Sequence, residues 1–155
     1  MIDLSQLLAL EAVRVDLSVS AKKPLFAALG VLARDAYGLD ERIVAERLGE
    51  RERLGSTGFG SGSAIPHAKV AGLSRVAGAV VRLAHPIDFA AADDMPVDLV
   101  FMLLSPVDAG ADHLKALAQV SRALRDRSFT AKLRGAASAD ALFALVATGD
   151  ARDAA

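Results

Sequence analysis

His67 has the strongest chemical context of the three histidines in this sequence. It follows Pro66 and lies near the end of a glycine-rich segment, residues 55–69, that has no helical period. Proline fixes its own φ and restricts the residue before it, so the backbone that enters His67 is stiff. A neutral imidazole is a competent nucleophile near neutral pH, and such nucleophiles divide one transfer into two steps. His67 is therefore a candidate nucleophile, the alternative being an exposed histidine at a glycine-rich turn.

The glycine-rich segment predicts a binding place for an anion beside that histidine. Gly58, Gly60 and Gly62 allow positive φ and close backbone approach, which lets amide N–H groups converge on an anion. The hydroxyls of Ser56 and Thr57 can also donate to phosphate. These five residues are therefore candidates for binding a phosphoryl group that His67 captures.

Two further residues favour phosphoryl chemistry. His113 follows Asp112 at the start of a predicted helix, where free N–H groups and the helix dipole attract anions and disfavour an imidazolium. Arg51, with Arg53, ends the second predicted helix, and a guanidinium can meet phosphate with two hydrogen bonds at once. The alternatives are a solvated first-turn histidine and arginines that contact only the helix end. His85, at a predicted strand end, is interpreted as structural.

Several other chemistries lack their residues in this chain. The glycine-rich segment lacks the Gly-Lys-Ser/Thr ending of a nucleotide P-loop, and no dinucleotide-binding Gly-x-Gly-x-x-Gly unit follows a strand. There are no cysteines, and no two histidines have the spacing of a close zinc-ligand pair. We expect neither a metal nor a cofactor.

The composition is that of one globular domain. The chain has 155 residues, of which 53% are hydrophobic and 24% charged, with a formal net charge of -1. This balance argues against nucleic acid as the main partner, because phosphate backbones require a basic face. No secretory signal is visible at the N-terminus, and no apolar run is long enough to span a bilayer. We expect a cytoplasmic protein with no direct membrane insertion.

The apolar periodicity predicts an α/β fold. Alternation predicts a strand at Val15–Val19, and near-continuous apolar runs predict strands at Val76–Leu83 and Val97–Leu104 that are covered on both faces. Helical spacing predicts five helices. Ser20 is predicted to cap the first, which ends at Gly38, and Asp40 to start the second, which runs through Arg53. The third begins at Asp112, the fourth is a short helix that contains Phe129 and Leu133, and the fifth is capped by Ser138 and contains Leu142.

The helical stripes also predict which side chains face inward. In the second helix these are Ile43, Val44 and Leu48, and in the third helix the stripe begins at Leu114.

The order of these motifs resembles a known family. The segment at 51–69 reads Arg-Glu-Arg-Leu-Gly-Ser-Thr-Gly-Phe-Gly-Ser-Gly-Ser-Ala-Ile-Pro-His-Ala-Lys, and it resembles the active-site region of enzyme IIA proteins. These belong to the fructose/mannitol branch of the bacterial phosphoenolpyruvate-dependent phosphotransferase system. The resemblance continues through Pro-Val-Asp-Leu-Val-Phe-Met-Leu-Leu-Ser-Pro at 96–106 and His-Leu-Lys-Ala-Leu at 113–117, and it ends near Val146.

The resemblance implies a role for each matching residue. His67 matches the histidine that an HPr-like phosphocarrier phosphorylates at Nε2. His113 matches the second active-site histidine, and Arg51 matches the arginine placed to meet phosphate. The resemblance also implies one domain over residues 1–149, built as a central mixed β-sheet flanked by helices on both faces, with a frayed tail at 150–155. No metal or nucleotide takes part in this scheme.

Within the family, a stand-alone chain with Gly-Ser-Thr-Gly before the loop resembles the nitrogen-regulatory type of enzyme IIA. That type controls downstream regulatory target proteins by its phosphorylation state. One alternative is a sugar-specific enzyme IIA that passes phosphate to a transporter IIB domain. Another alternative is a binding module that is not phosphorylated. The joint presence of Arg51, His67 and His113 argues against it. A metal-dependent hydrolase is a further alternative, and it would require stoichiometric bound metal.

Overall fold

Within residues 4–154, a six-stranded mixed sheet carries helices on both faces. The structure, a computed structural model, describes the backbone of residues 4–154 and the side chains of residues 4–148. After a 3-10 turn at Leu4–Leu7, the elements in chain order are β1 (Leu8–Leu17), α1 (Lys22–Tyr37), α2 (Glu41–Arg53), β2 (Gly58–Gly60), β3 (Ser63–Ala64), β4 (His67–Lys69), β5 (Ala77–Ile87), β6 (Val97–Ser105), α3 (Ala111–Arg125), α4 (Arg127–Gly135) and α5 (Ala139–Ala154).

The sheet has the strand order β1-β5-β6-β3-β2, and β4 also pairs with β6. β1 is parallel to β5, β5 is antiparallel to β6, and both β3 and β4 are parallel to β6. Ser63 of β3 lies opposite Leu99, and His67 of β4 lies opposite Leu103. β3 and β4 therefore follow one another along the same side of β6 as one interrupted strand.

The core has two halves, one on each side of the sheet. Alternate residues of β6 belong to different halves, as strand geometry requires. Val100, Met102 and Leu104 pack on the side of α1 and α2. Leu99, Phe101 and Leu103 pack on the side of α3, α4 and α5. This two-sided burial confirms the predicted fold class, a central mixed sheet flanked by helices on both faces.

Two predicted strand boundaries were wrong. β1 begins at Leu8 rather than Val15, because irregular register between Leu8 and Leu17 interrupts the alternation on which the prediction relied. β5 continues through Pro86 to Ile87, whereas the predicted strand ended at Leu83. The β5 register is irregular between Arg82 and Ile87, which is where a sheet tolerates a proline.

The predicted helix ends were mostly correct. Gly38 ends α1 in a left-handed conformation, and the Asp40 side chain accepts from the amides of Arg42 and Ile43 at the start of α2. The Ser138 hydroxyl accepts from the amide of Ala141 in α5. The cap predicted for Ser20 was wrong, because the N-cap residue of α1 is the next one along and makes no side-chain cap.

Two residues predicted to face inward lie on the surface. Ile43 is 45% exposed and Leu114 is 67% exposed, whereas Val44 and Leu48 are buried. A helical stripe identifies a face only to within one residue on either side, and the neighbouring elements decide where its edge lies.

The end of the chain leaves one prediction open. α5 continues to Ala154, while the side chains from residue 149 onward and the last residue lie outside the described part. The predicted boundary at residue 149 and the frayed tail at 150–155 stay predictions. No helix between residues 4 and 154 combines the length and apolar character that crossing a bilayer requires.

Candidate active site

The His67 side chain is oriented by its own backbone neighbours. Opposite it on β6, the amide of Leu103 donates to the carbonyl oxygen of Pro66 at 2.9 Å. Leu103 faces α3, and paired residues on adjacent strands share a face, so His67 lies on the α3 side. Nδ1 of His67 donates to the carbonyl oxygen of Ile65 at 2.8 Å. Since a carbonyl oxygen can only accept, Nδ1 carries the proton and Nε2 keeps its lone pair.

His113 faces His67 from the first turn of α3. The two ring centroids are 5.6 Å apart, and the ring planes are inclined by 48°. Nδ1 of His113 lies 2.5 Å from the hydroxyl oxygen of Ser105, the last residue of β6. α3 starts after Gly110, so the free N–H groups and the positive dipole end of this helix lie beside the two rings.

Both imidazoles are held uncharged near neutral pH. Burial lowers the pKa of His67 from its ordinary value of 6.5, and the charge of Arg51 acts in the same direction, while the Ile65 carbonyl and Glu52 oppose them. Burial is also the main cause of the lowered pKa of His113, followed by the charges of His67 and Lys69. A lowered pKa keeps a lone pair on each ring, which a nitrogen nucleophile requires.

Arg51 lies in the last turn of α2, within electrostatic reach of His67. Its Nη1 donates to the carbonyl oxygen of Gly55 at 2.8 Å, which holds the start of the glycine-rich segment. Among the side chains of residues 4–148, no carboxylate pairs with this guanidinium. Its remaining N–H donors are therefore available to an anion.

Glu52 anchors the end of α2 to the glycine-rich segment. Its carboxylate accepts from the amide of Thr57 at 3.1 Å and from the Thr57 hydroxyl at 2.6 Å, and it pairs with Nζ of Lys22 at 2.9 Å. The Glu52 side chain is only 7% exposed. Sequence analysis missed this residue, because an acidic residue on a helix rich in Glu and Arg gives no signal of burial.

The two hydroxyls predicted to bind phosphate are engaged within the protein. The Ser56 hydroxyl donates to the carbonyl oxygen of Phe89 at 2.8 Å and accepts from the amide of Gly58 at 3.1 Å. The Thr57 hydroxyl donates to Glu52. Their observed contacts are structural, and a contact with phosphate stays a prediction.

The structure does not bring Gly60 and Gly62 to the histidines. The carbonyl oxygen of Gly62 accepts from the amide of Leu99, four residues before the Leu103 that pairs with His67. Four residues of strand span about 13 Å. Gly60 and Gly62 have φ of 119° and 81°, so they are needed for the tight β2–β3 turn. Gly58 lies in β2, the outermost strand, and its amide donates to Ser56.

The structure therefore brings His113 of α3 to His67 of β4, and the charge of Arg51 at the end of α2 acts on His67. It adds Lys69, which follows His67 by two residues on β4 and whose charge acts on His113. Sequence analysis also missed Ser105, because a serine at a strand end is not distinctive. His85 is exposed near the end of β5 and makes no contact with the site among the described residues. The described residues contain no group of three or more His, Cys, Asp or Glu side chains arranged to hold a metal ion.

The chain also matches known proteins over most of its length. Residues 6–148 match the family described as "Phosphoenolpyruvate-dependent sugar phosphotransferase system, EIIA 2". The chain belongs to this family. It is an enzyme IIA protein, and hence a phosphotransferase component, as the motifs around Arg51 and His67 predicted.

Its relatives indicate which type of enzyme IIA it is. A nitrogen regulatory protein of Bradyrhizobium diazoefficiens is 46% identical over 144 residues, which cover 93% of this chain and 94% of the relative. The crystal structure of the nitrogen regulatory protein IIA-Ntr from Neisseria meningitidis is 37% identical, with a TM-score of 0.85 over 92% of this chain and 97% of that one. A fructose-specific EIIA component of Haloferax volcanii is 39% identical over 137 residues, covering 88% of this chain and 89% of the relative. This enzyme IIA is thus of the nitrogen-regulatory type, and the prediction of that type is confirmed.

Proposed function

We propose that this enzyme IIA accepts a phosphoryl group on Nε2 of His67 from an HPr-like phosphocarrier, and that its phosphorylation state controls downstream regulatory target proteins. The observation that carries the proposal is the hydrogen bond from Nδ1 of His67 to the Ile65 carbonyl. It orients the ring and leaves Nε2 as the free nucleophile. The second imidazole supports the proposal with its ring centroid 5.6 Å from that of His67, and so does the charge of Arg51, which acts on His67.

The transfer is balanced without an added reagent. The lone pair on Nε2 of His67 attacks the phosphorus, a new P–N bond forms, and the P–N bond to the phosphocarrier's histidine breaks. The carrier's nitrogen leaves with the electron pair of that bond. Nδ1 of His67 keeps its proton throughout the transfer, and that proton stays hydrogen-bonded to the carbonyl oxygen of Ile65. Arg51 and His113 offset the charge on the phosphoryl oxygens, which is the main service that a protein supplies in such a transfer.

The direct test is phosphorylation of the purified chain. Incubation with phosphoenolpyruvate, enzyme I and an HPr-like phosphocarrier is expected to add one acid-labile phosphate per chain, measured by intact mass before and after mild acid. Omission of the phosphocarrier is the control and is expected to give no added mass. A wild-type chain that stays unmodified with a panel of phosphocarriers would overturn the proposal.

The lowered pKa of His67 predicts how phosphorylation depends on pH. Only the unprotonated ring is a nucleophile. Because the pKa of His67 is lowered from 6.5, activity is lost at a lower pH than it would be with an ordinary histidine. The rate of phosphate acceptance is expected to remain above half of its neutral value at pH 6.5 and to reach half only at a lower pH. Stopped-time assays across pH 5 to 8, with an NMR titration of the His67 ring, measure both quantities. A rate that has already halved at pH 6.5 in step with His67 protonation contradicts this prediction.

Exposed apolar side chains beside the site favour docking of a protein partner. Leu54, Val107 and Leu114 are 85%, 65% and 67% exposed, and they follow closely after Arg51, the end of β6 and His113 in the chain. Large apolar side chains grouped at a reactive site are typical of protein-binding surfaces. An HPr-like phosphocarrier must bring its own phosphohistidine to His67, and these exposed apolar side chains adjoin the candidate site residues in the chain.

Substitution of Leu114 tests that docking surface. Leu114→Gln is expected to raise the KM for the phosphocarrier by roughly 5- to 30-fold, equivalent to about 1–2 kcal/mol of lost contact, with little change in kcat. Met95→Gln is the matched control, because Met95 is 52% exposed but lies in the β5–β6 connection, at the other end of β6 from His67. Equal KM values for the two variants would show that the apolar surface does not bind the carrier.

A sugar-specific role is the second candidate, favoured by the identity with the Haloferax volcanii component. In that role the phosphohistidine would pass its phosphoryl group to a transporter IIB domain. Adding a IIB domain and its sugar to the phosphorylated chain separates the two functions. Dephosphorylation that depends on both favours sugar transport, whereas phosphorylation-dependent binding of a regulatory protein favours control. Either role is exercised in the cytoplasm.

A further inference from the structure

Ser105 is a buried serine whose only role in the site is a contact with the second histidine. It ends β6 and has no exposed surface. Leu103, two residues earlier, faces α3, and alternation along the strand places the Ser105 side chain on that same face. Its hydroxyl oxygen lies 2.5 Å from Nδ1 of His113. The contact joins a rigid central strand to the first turn of a helix.

The burial of Ser105 decides which atom donates in this hydrogen bond. Among the described residues, Nδ1 of His113 is the only hydrogen-bond partner of the hydroxyl. If Nδ1 donated, the hydroxyl proton would be left without an acceptor on a side chain that has no exposed surface, which is costly. If the hydroxyl donates, one contact satisfies both groups. Nδ1 of the neutral ring is then the acceptor, and the ring proton lies on Nε2.

We propose that Ser105 is a positioning residue that holds His113 as the Nε2–H tautomer, so that Nε2–H donates to the phosphoryl group on His67. The inference rests on the proposed function for the identity of the acceptor. It also makes the two rings complementary. The Ile65 carbonyl holds the His67 proton on Nδ1 and leaves Nε2 to attack. The Ser105 hydroxyl holds the His113 proton on Nε2 and leaves it to donate.

The opposite tautomer of His113 would weaken the site. A lone pair on Nε2 would then face the negative phosphoryl oxygens, and two acceptors repel each other. In the unphosphorylated site, burial and then the electrostatic influence of His67 and Lys69 lower the pKa of His113, so the ring that meets an incoming phosphoryl group is neutral. Ser105 thus supplies the donor without requiring the ring to be charged.

NMR of the unphosphorylated wild-type chain tests the tautomer directly. Two-bond ¹⁵N–¹H spectra of the imidazoles at neutral pH are expected to show Nε2 of His113 protonated and Nδ1 unprotonated. The opposite pattern is expected for His67. A protonated Nδ1 on neutral His113 would overturn the inference. This result does not depend on phosphorylation. The inference can therefore fail while the proposed function stands, and the proposed function can fail while the His113 tautomer is as expected.

Variants of Ser105 test its effect on the transfer. Ser105→Ala is expected to give a mixture of His113 tautomers and to slow phosphate acceptance roughly two- to tenfold, which is the range for loss of one neutral hydrogen bond. Ser105→Thr keeps a hydroxyl and is expected to restore both the tautomer and most of the rate.

Ser63→Ala is the matched control. Ser63 is also a fully buried strand serine, but its hydroxyl has no hydrogen-bond partner among the described residues. This variant is expected to leave the His113 tautomer and the rate unchanged. Slowing in Ser105→Ala with an unchanged His113 tautomer, or equal slowing in the two alanine variants, would reduce Ser105 to a packing role.

Discussion

Replacing His67 with glutamine is expected to abolish phosphate acceptance, lowering the rate of labelling by on the order of 10³-fold or more. The reason is that the substitution removes Nε2, the nitrogen proposed to form the new P–N bond. The side chain is half-buried at the start of β4, and glutamine keeps a polar group of similar length there. The measurement is incorporation of acid-labile phosphate from phosphoenolpyruvate, with circular dichroism to confirm that the variant is folded.

The other two histidines provide the controls for this experiment. His113→Gln is expected to be labelled more slowly than wild type but still at a single site, because His113 assists and does not form the bond. His85→Gln is expected to behave as wild type, since His85 lies outside the site. Acid-labile phosphate that persists in the His67→Gln chain would contradict the assignment of the nucleophile.

Removing the Glu52 carboxylate is expected to have the largest effect on stability among the residues near the site. Glu52→Ala leaves the buried amide and hydroxyl of Thr57 without their acceptor and leaves Lys22 without its partner. Loss of a buried acceptor with several donors lowers the free energy of unfolding by about 2–4 kcal/mol. Lys22 is 27% exposed and can turn to water, so most of the loss comes from Thr57. Denaturant unfolding followed by circular dichroism measures it.

Glu50→Ala is the matched control for Glu52. It makes the same change in the same helix, but the Glu50 side chain is 55% exposed and its ion pair with Arg47 is 3.4 Å long. Exposed pairs of this kind contribute less than about 1 kcal/mol. Glu52 also orders the turn that carries Arg51, so Glu52→Ala is expected to slow phosphate acceptance while Glu50→Ala does not. Equal loss of stability in both variants would contradict the anchoring role.

The contribution of Glu52 to stability should decrease in acid. Burial alone would raise the pKa of Glu52, but its hydrogen bonds from Thr57 and Lys22 outweigh burial and lower the pKa below 4.5. A carboxyl group with a lowered folded-state pKa contributes stability above its unfolded-state pKa, and that contribution is lost as the pH falls through the folded-state value. The difference between wild type and Glu52→Ala is therefore expected to be full at pH 7 and to shrink below about pH 4.5.

The local patterns of the sequence were enough for the fold class and for three candidate site residues. Buried strands such as β6 read as continuous apolar runs because helices cover both faces, and this property is visible in one dimension. Arg51, His67 and His113 could be identified because each lies at a recognisable boundary: a helix end, a proline after a glycine-rich run, and a helix start. The spacing of apolar residues was less reliable at the edges of the predicted buried faces of helices, because Ile43 and Leu114 are exposed.

The position of the glycine-rich segment relative to His67 depended on which strand the segment pairs with, and the spacing of apolar residues does not reveal that pairing. Glycines near a histidine in sequence suggested a binding loop. The register of β3 against β6 instead places Gly62 beside Leu99, several residues from the Leu103 that pairs with His67. A few residues of extended chain separate groups by more than a phosphate's width, and only the pairing partner decides in which direction they extend.

The chain by itself indicated the candidate reactive group and the elements that carry it, because residue type and local conformation are properties of short segments. The tertiary structure alone decided which nitrogen of each ring is free. That depends on the Ile65 carbonyl under His67 and the Ser105 hydroxyl under His113. It also decided that Glu52 and not Glu50 is buried. Contacts between elements that are distant in the chain decide which ring nitrogen is free and which glutamate is buried. The sequence alone does not distinguish these residues from their neighbours.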